Sequence, residues 1–482
     1  MPDLPHDGAP PKPTLLSEYR PPDFVIDQVA LSFSLGEDET TVRSHLTMRR
    51  NPAAGTPKAS LRLDGEELDL QFVALDGIKL MPDRYRVEPD GALVIPDVSA
   101  AFVLETAVRI KPQLNTALSG LYTSGENFCT QCEAEGFRRI THFLDRPDVS
   151  ARYRVRIEAD KARYPVLLSN GNPRETGDLP DGRHFAVWDD PHPKPSYLFA
   201  LVAGDLVAHC DEFTTRSGKK VPLAIWVRRG DEDKCAHAMA SLKASMKWDE
   251  DTYGLEYDLD VFNIVAVSDF NMGAMENKGL NIFNTRYVLA KPETATDTDY
   301  ENIESVIAHE YFHNWTGDRV TCRDWFQLSL KEGLTVFRDQ QFSADMGSAA
   351  VCRIADIRAL RATQFPEDAG PLAHPVQPQS YLRIDNFYTA TVYNKGAELI
   401  RMMHTLLGRE SFRRGMDLYI KRHDNSAATI PDFVSAMQDA SEFDAHQLAS
   451  CRAAFAAGMT GRIQQHLLAA LGLVTRDERT TH

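Results

Sequence analysis

The pentad His309-Glu310-Tyr311-Phe312-His313, followed by Glu332 in the run Leu330-Lys331-Glu332-Gly333, constrains this chain more than any other feature. On a helix, residues four apart are separated by little more than one turn, so both imidazoles point to one face. The flanking residues predict that helix. Thr298-Asp299-Tyr300-Glu301 reads as a capping box, and Ile303, Val306, Ile307 and Tyr311 then recur at helical spacing. A second helical stretch, Trp325 to Ala344, carries Glu332 in its interior. Zinc in catalytic sites usually takes three protein ligands and leaves one position for water. His309, His313 and Glu332 supply three, and one Zn2+ per chain is expected. Glu310 is not needed as a ligand and is left free to take a proton from water. The competing reading is a helix with two surface histidines and an ordinary glutamate. The cap, the periodicity and the second helix argue against it.

The remaining composition sets limits. The chain has 482 residues, enough for several domains, and its 69 acidic against 53 basic side chains give a net charge of −16. That balance argues against nucleic acid or an anionic membrane as partner, since both need a basic face. Met1 to Thr14 is polar and proline-rich, without the apolar core of a signal peptide. The longest apolar run, Tyr197 to Ala208, is broken by Asp205 and is short enough for a core strand. Seven cysteines give no disulfide framework, and Cys129 and Cys132 are expected as buried thiols. Together these features predict a cytoplasmic protein.

Residues 15 to about 205 read as β structure: Val29, Leu31, Phe33 and Leu35 alternate, as do Tyr153, Val155 and Ile157. Asp90-Gly91, between Tyr85-Arg86-Val87 and Leu93-Val94-Ile95, signals a hairpin. From about 206 the character changes. Val221 to Val227 and Asp260 to Ser268 read as strands, and helices dominate from 298: Ala390 to Leu407 ending at Gly408, Ser411 to Arg422, and Pro431 to Ala440. The expected architecture is multidomain: an N-terminal antiparallel β-sheet domain (1–205), a mixed α/β catalytic domain (206–447) and a divergent C-terminal tail (448–482).

Upstream of the zinc helix lies Gly273-Ala274-Met275-Glu276-Asn277, by its residues a glycine turn, two apolar residues and a carboxylate. A strand edge there could pair with an extended peptide. Taken together, the motifs resemble the zinc aminopeptidases of the aminopeptidase N family, the M1 gluzincins. Gly273 to Asn277 is similar to that family's exopeptidase signature. His309 to His313, eighteen intervening residues and Glu332 are similar to its zinc signature. Thr130 to Gly136, Leu144 to Val149 and Tyr393 to Glu398 resemble further stretches of bacterial members, and the resemblance runs from about residue 14 to about 445.

The resemblance implies a thermolysin-like catalytic domain and a zinc-dependent metallo-aminopeptidase. It would hydrolyse the first peptide bond of short peptides with broad specificity for neutral and basic residues, acting as a monomer. It implies that Glu276 and Glu133 bind the free α-amino group, a charge-assisted contact that an internal amide cannot make. Gly273 and Ala274 would hold the substrate backbone, and Gln131 and Met272 would line the first side-chain pocket. Glu310 would act as general base, and Tyr393 would donate a hydrogen bond to the tetrahedral oxyanion. Asp339, seven residues after Glu332, could orient a ligand histidine; a solvated aspartate is the alternative.

The ending departs from the family, whose members continue into a large helical domain. Here the resemblance fades near Asp444-Ala445-His446 and the chain runs through Cys451-Arg452-Ala453-Ala454 to His482. The C-terminal helical domain is therefore expected to be absent, through a frameshift, a premature stop or a naturally short form. Its loss would leave apolar surface facing water. Two other functions compete: a truncated zinc-binding fragment without turnover, and a related epoxide hydrolase. The residue at Ala274 counts against the second.

Overall fold

The computed structural model describes residues 12–441 and 453–456. Apart from 453–456, the expected tail at 448–482 lies outside the described residues. The chain divides into two compact units: Pro21–Thr321 with Asn425–Ala427, and Met1–Arg20 with Cys322–Asp424 and Ala428–His482. Each is taken by itself.

The first unit begins as β structure. Its eight-stranded sheet runs in the order Asn172–Asp178, Arg183–Lys194, Ala151–Asp160, Phe24–Leu35, Thr40–Arg50, Ala101–Ile110, Asp69–Leu75, Ile78–Lys79. All neighbours are antiparallel except Ala151–Asp160 against Phe24–Leu35, which run parallel. The side-chain pattern of Phe24–Leu35 shows how sequence sets register. Phe24 and Ile26 are buried, then Val29, Leu31, Phe33 and Leu35. The period-two pattern skips one residue where a register shift falls between Ile26 and Gln28, and a bulge of this kind returns the apolar side chains to the core face. Phe33, Phe137 and Tyr153 gather around Phe199, with ring centroids 5.2–6.3 Å away. The expected hairpin at Asp90-Gly91 forms between Arg86–Val87 and Leu93–Ile95, with Gly91 at φ 86°.

A five-stranded mixed sheet follows, ordered Val207–Thr214, Lys220–Val227, Phe262–Val267, Leu280–Asn284, Ala274–Met275. Phe262–Val267 is buried along its whole length and pairs parallel on both sides, which is why its sequence is a continuous near-apolar run. Beside the sheet lie the helices Ala236–Thr252 and Asp297–Phe312. Tyr311 packs on Phe262 at 5.8 Å and Phe312 on Trp248 at 5.0 Å between ring centroids.

In the second unit, Thr14–Leu15 pairs with Ser380–Tyr381, and the rest is mainly helical. The stretch expected as one helix from Trp325 is two elements: a 3₁₀ helix over Trp325–Leu330 and an α-helix over Glu332–Met346. Asp324 starts the first, accepting from the Phe326 amide and the Gln327 side chain. Glu332 therefore opens a helix rather than lying in its interior, a position where the helix dipole favours a carboxylate. Gly396–Leu407 ends at Gly408 as expected, and Arg409–His423 and Ile430–Asp439 follow. Met346, Val351, Ile354, Ile357, Phe365, Leu372 and Leu382 are exposed on this unit. Among the described residues no helix is long and apolar enough to cross a membrane.

Candidate metal and substrate site

The helix bearing the pentad is fixed at both ends. Its cap is Thr296, two residues before the expected one. The Thr296 side chain accepts from the Asp299 amide, and the Asp299 carboxylate accepts from the Thr296 backbone and hydroxyl. Such a box is worth about 1 kcal/mol. Ile303, Ile307, Ala308, Tyr311 and Phe312 form the buried face.

At the other end the imidazoles converge. His313 Nε2 lies 3.0 Å from His309 Nε2. His313 Nδ1 lies 2.9 Å from the Thr316 carbonyl, which can only accept, so Nδ1 carries the proton and Nε2 keeps its lone pair. Metal-ligating histidines are oriented in this way. Gly317 makes the turn possible: a Cβ there would come within 2.9 Å of the His313 ring. Glu276, Glu310 and His313 offer ligand-type atoms all within 4.8 Å of one another, and Glu133 and Glu276 do so as a pair. The first unit thus brings together five of the expected site residues: Glu133, Glu276, His309, Glu310 and His313. The donor set, imidazole nitrogens and carboxylates converging in a buried place, suits zinc.

Glu276 follows the Ala274–Met275 strand at the edge of the five-stranded sheet. That strand pairs antiparallel with Leu280–Asn284 and has no strand on its other side among the described residues, as strand addition by a peptide requires. Gly273 accepts from the Asn284 amide, and a Cβ on it would press on the Tyr287 ring at 3.1 Å. Met272 is half-buried on the loop before the strand rather than filling a core. The hairpin Gly120–Ser124/Asn127–Gln131 grips that loop: Tyr122 donates to the Asp269 carbonyl at 2.9 Å and Ser124 to the Asp269 carboxylate at 2.7 Å. Its second strand ends in Gln131, whose amide donates to the Glu133 carbonyl at 3.2 Å. One hairpin therefore presents Gln131 and anchors the segment carrying Met272.

Glu332 and Tyr393 belong to the second unit. Glu332 is 2% exposed and contacts Lys331. Tyr393 sits on a π-helical turn, Thr391–Lys395, a geometry frequent at functional sites. The Ser329 hydroxyl donates to the Val392 carbonyl at 2.9 Å. Gly333 and Gly396 pass so closely that a Cβ on Gly333 would lie 2.9 Å from the Gly396 carbonyl carbon. Two glycines thus let the start of the Glu332 helix lie against the turn bearing Tyr393. Asp339 is buried, so it is not a solvated surface aspartate.

Sequence reasoning missed a group behind the site. Asp258 receives Lys278 and Arg319, and His192 lies beside it. Burial opposes its charge, but Lys278, His192 and Arg319 together hold its carboxyl well below the usual range. Burial pushes Asp318 well above that range; Lys278 opposes this, while Glu276, Asp258 and Asp190 reinforce it. The thiols behave as expected. Cys129 and Cys132 are buried, and burial pushes Cys129 up to about 12, so it is a core thiol rather than a reactive thiolate.

An edge strand ending in a carboxylate, beside a helix that presents two histidines and a second carboxylate, defines the layout of a metallopeptidase domain. The peptidase M1 N-terminal domain matches residues 29–198 and the peptidase family M1 domain matches residues 237–451. The chain belongs to peptidase family M1. It is 59% identical to aminopeptidase N of Caulobacter vibrioides over 434 residues, which is 90% of this chain and 50% of that protein. It is 58% identical to aminopeptidase N of Escherichia coli K12 over 427 residues, 89% of this chain and 48% of that one. The crystal structure of Legionella pneumophila aminopeptidase A in complex with aspartic acid superposes with a TM-score of 0.86 at 35% identity, covering 93% of this chain and 51% of that chain. The chain spans about half the length of the curated relatives it matches.

Proposed function

We propose that this chain is a zinc-dependent aminopeptidase that removes N-terminal residues from short peptides, with broad preference for neutral and basic side chains. The observation that carries this reading is the grouping of Glu276, Glu310 and His313 within 4.8 Å, with Glu133 beside Glu276. An amine anchor and a general base stand next to a histidine ligand.

In this reading His309, His313 and Glu332 hold one Zn2+. Bound zinc supplies a Lewis acid that polarises a carbonyl and lowers the pKa of water towards ~7. The Ala274 edge, with Gly273 before it, receives the substrate backbone. Glu276 and Glu133 accept hydrogen bonds from the terminal ammonium, which places the first peptide carbonyl beside Glu310. Glu310 takes the proton from the attacking water and later returns it to the leaving amine. Tyr393 donates to the oxyanion, a contact worth roughly 3–4 kcal/mol in comparable sites. Gln131 and Met272 line the first side-chain pocket, whose thioether adapts to different residues. In this reading the chain acts as a monomer in the cytoplasm on short peptides, and its net charge of −16 disfavours nucleic acid and anionic membranes as partners.

The purified chain is expected to bind one equivalent of zinc. Chelation should abolish release of p-nitroaniline from aminoacyl p-nitroanilides, and added zinc should restore it. One bound equivalent with no turnover would instead support an inactive zinc-binding fragment.

A further inference from the structure

Lys278 stands two residues after Glu276, and its ammonium is buried. Nζ donates to both Asp258 carboxylate oxygens, at 2.8 and 2.7 Å, and to the Asn314 side-chain carbonyl at 2.8 Å. Asn314 directly follows His313, and its amide reaches the same Asp258 at 3.3 Å. Arg319, on the chain just beyond the helix, donates to Asp258 at 2.7 Å, and His192 lies 3.4 Å away. The Lys278 backbone is fixed as well, its carbonyl accepting from Asn170 at 3.0 Å.

One buried carboxylate and one buried ammonium thus join the strand end that carries Glu276 to the helix end that carries His313. The two are distinct elements of the fold, one at a sheet edge and one a helix terminus. We infer that Lys278, held by Asp258 and bonded to Asn314, is a positioning residue. It sets the distance between the carboxylate that anchors the substrate amine and the helix that carries the metal ligand and the base. This rests on the aminopeptidase reading and adds how its two halves are kept in register. A ligand held at two points gains affinity only when the spacing of the points matches the ligand. The link therefore acts on ligands that engage both anchors and not on those that engage the metal alone.

The test uses the zinc-loaded chain and two probes, leucine hydroxamate and 4-methylpentanohydroxamic acid, which lacks the amine. The parent chain is expected to prefer the amine-bearing probe by about 100-fold. In Lys278→Met, Asp258 keeps Arg319 and His192 as partners. In Asn314→Ala, the Lys278–Asp258 ion pair stays intact, so that variant retains the buried charge balance. Both should reduce the preference by about tenfold or more, with zinc stoichiometry and the affinity of the amine-free probe unchanged. A preference retained in both variants would overturn the inference. Affinity lost equally for both probes would also overturn it, since that is what general loosening of the site would produce. No preference in the parent chain would overturn the amine-anchor reading itself, and this inference with it.

Discussion

Glu310→Gln is expected to lower kcat by about 10³-fold while the chain keeps its zinc. Glu310 is 6% exposed and lies on the helix turn between the two histidines. Its neighbours are Glu276 and His313, within 4.8 Å. Glutamine has the same shape and fits the same space, but it cannot accept a proton from water. General bases contribute ~10²–10⁴-fold, and one that serves both the attack and the departure of the amine should fall inside that range. The measurement pairs zinc content by atomic absorption with steady-state kinetics on an aminoacyl p-nitroanilide. Turnover within a few-fold of the parent would remove Glu310 from the chemistry. Loss of zinc would make it a ligand instead of a base.

Glu276→Gln should be the second largest effect, about 10²–10³-fold in kcat/KM, again with zinc retained. The basis is the cost of breaking a buried charged hydrogen-bonded pair, about 2–5 kcal/mol, at 1.36 kcal/mol per factor of ten. Glu276 is 3% exposed, so water screens it little, and Glu133, with a carboxylate oxygen within 4.8 Å of it, concentrates negative charge where an ammonium would sit. The glutamine side chain preserves the packing at the end of the Ala274–Met275 strand. An unchanged kcat/KM would show that the substrate amine is held elsewhere.

The parts of this site that lie on one periodic element were legible from the sequence. The spacing of His309 and His313 specifies a face once the surrounding apolar residues specify a helix. The cap was misplaced because Thr296-Asp297-Thr298-Asp299-Tyr300-Glu301 contains two overlapping capping frames, and the chain uses the earlier, Thr296 with Asp299. Glu332 was placed inside a helix because the apolar run Trp325–Leu330 reads alike for α and 3₁₀ winding. The choice is made by Asp324, whose side chain closes the tighter turn. The edge position of Ala274–Met275 was foreshadowed by a glycine and a short apolar pair, whereas strand order depends on pairings that local sequence does not encode. The Asp258 group left no trace. Lys278 is 20 residues from Asp258 and Asn314 is 56, and no periodicity links them. What joins them is burial, which makes an unpaired lysine or aspartate costly and so selects partners from distant segments.

The central claim is that a free N-terminal ammonium, held by Glu276 and Glu133, directs hydrolysis to the first peptide bond. Its most direct test compares hydrolysis of leucyl p-nitroanilide with that of its N-acetylated form by the zinc-loaded chain. Hydrolysis of the free-amine substrate alone is the predicted result, with the acetylated form at least ~10²-fold slower in kcat/KM. Comparable rates on both would contradict it.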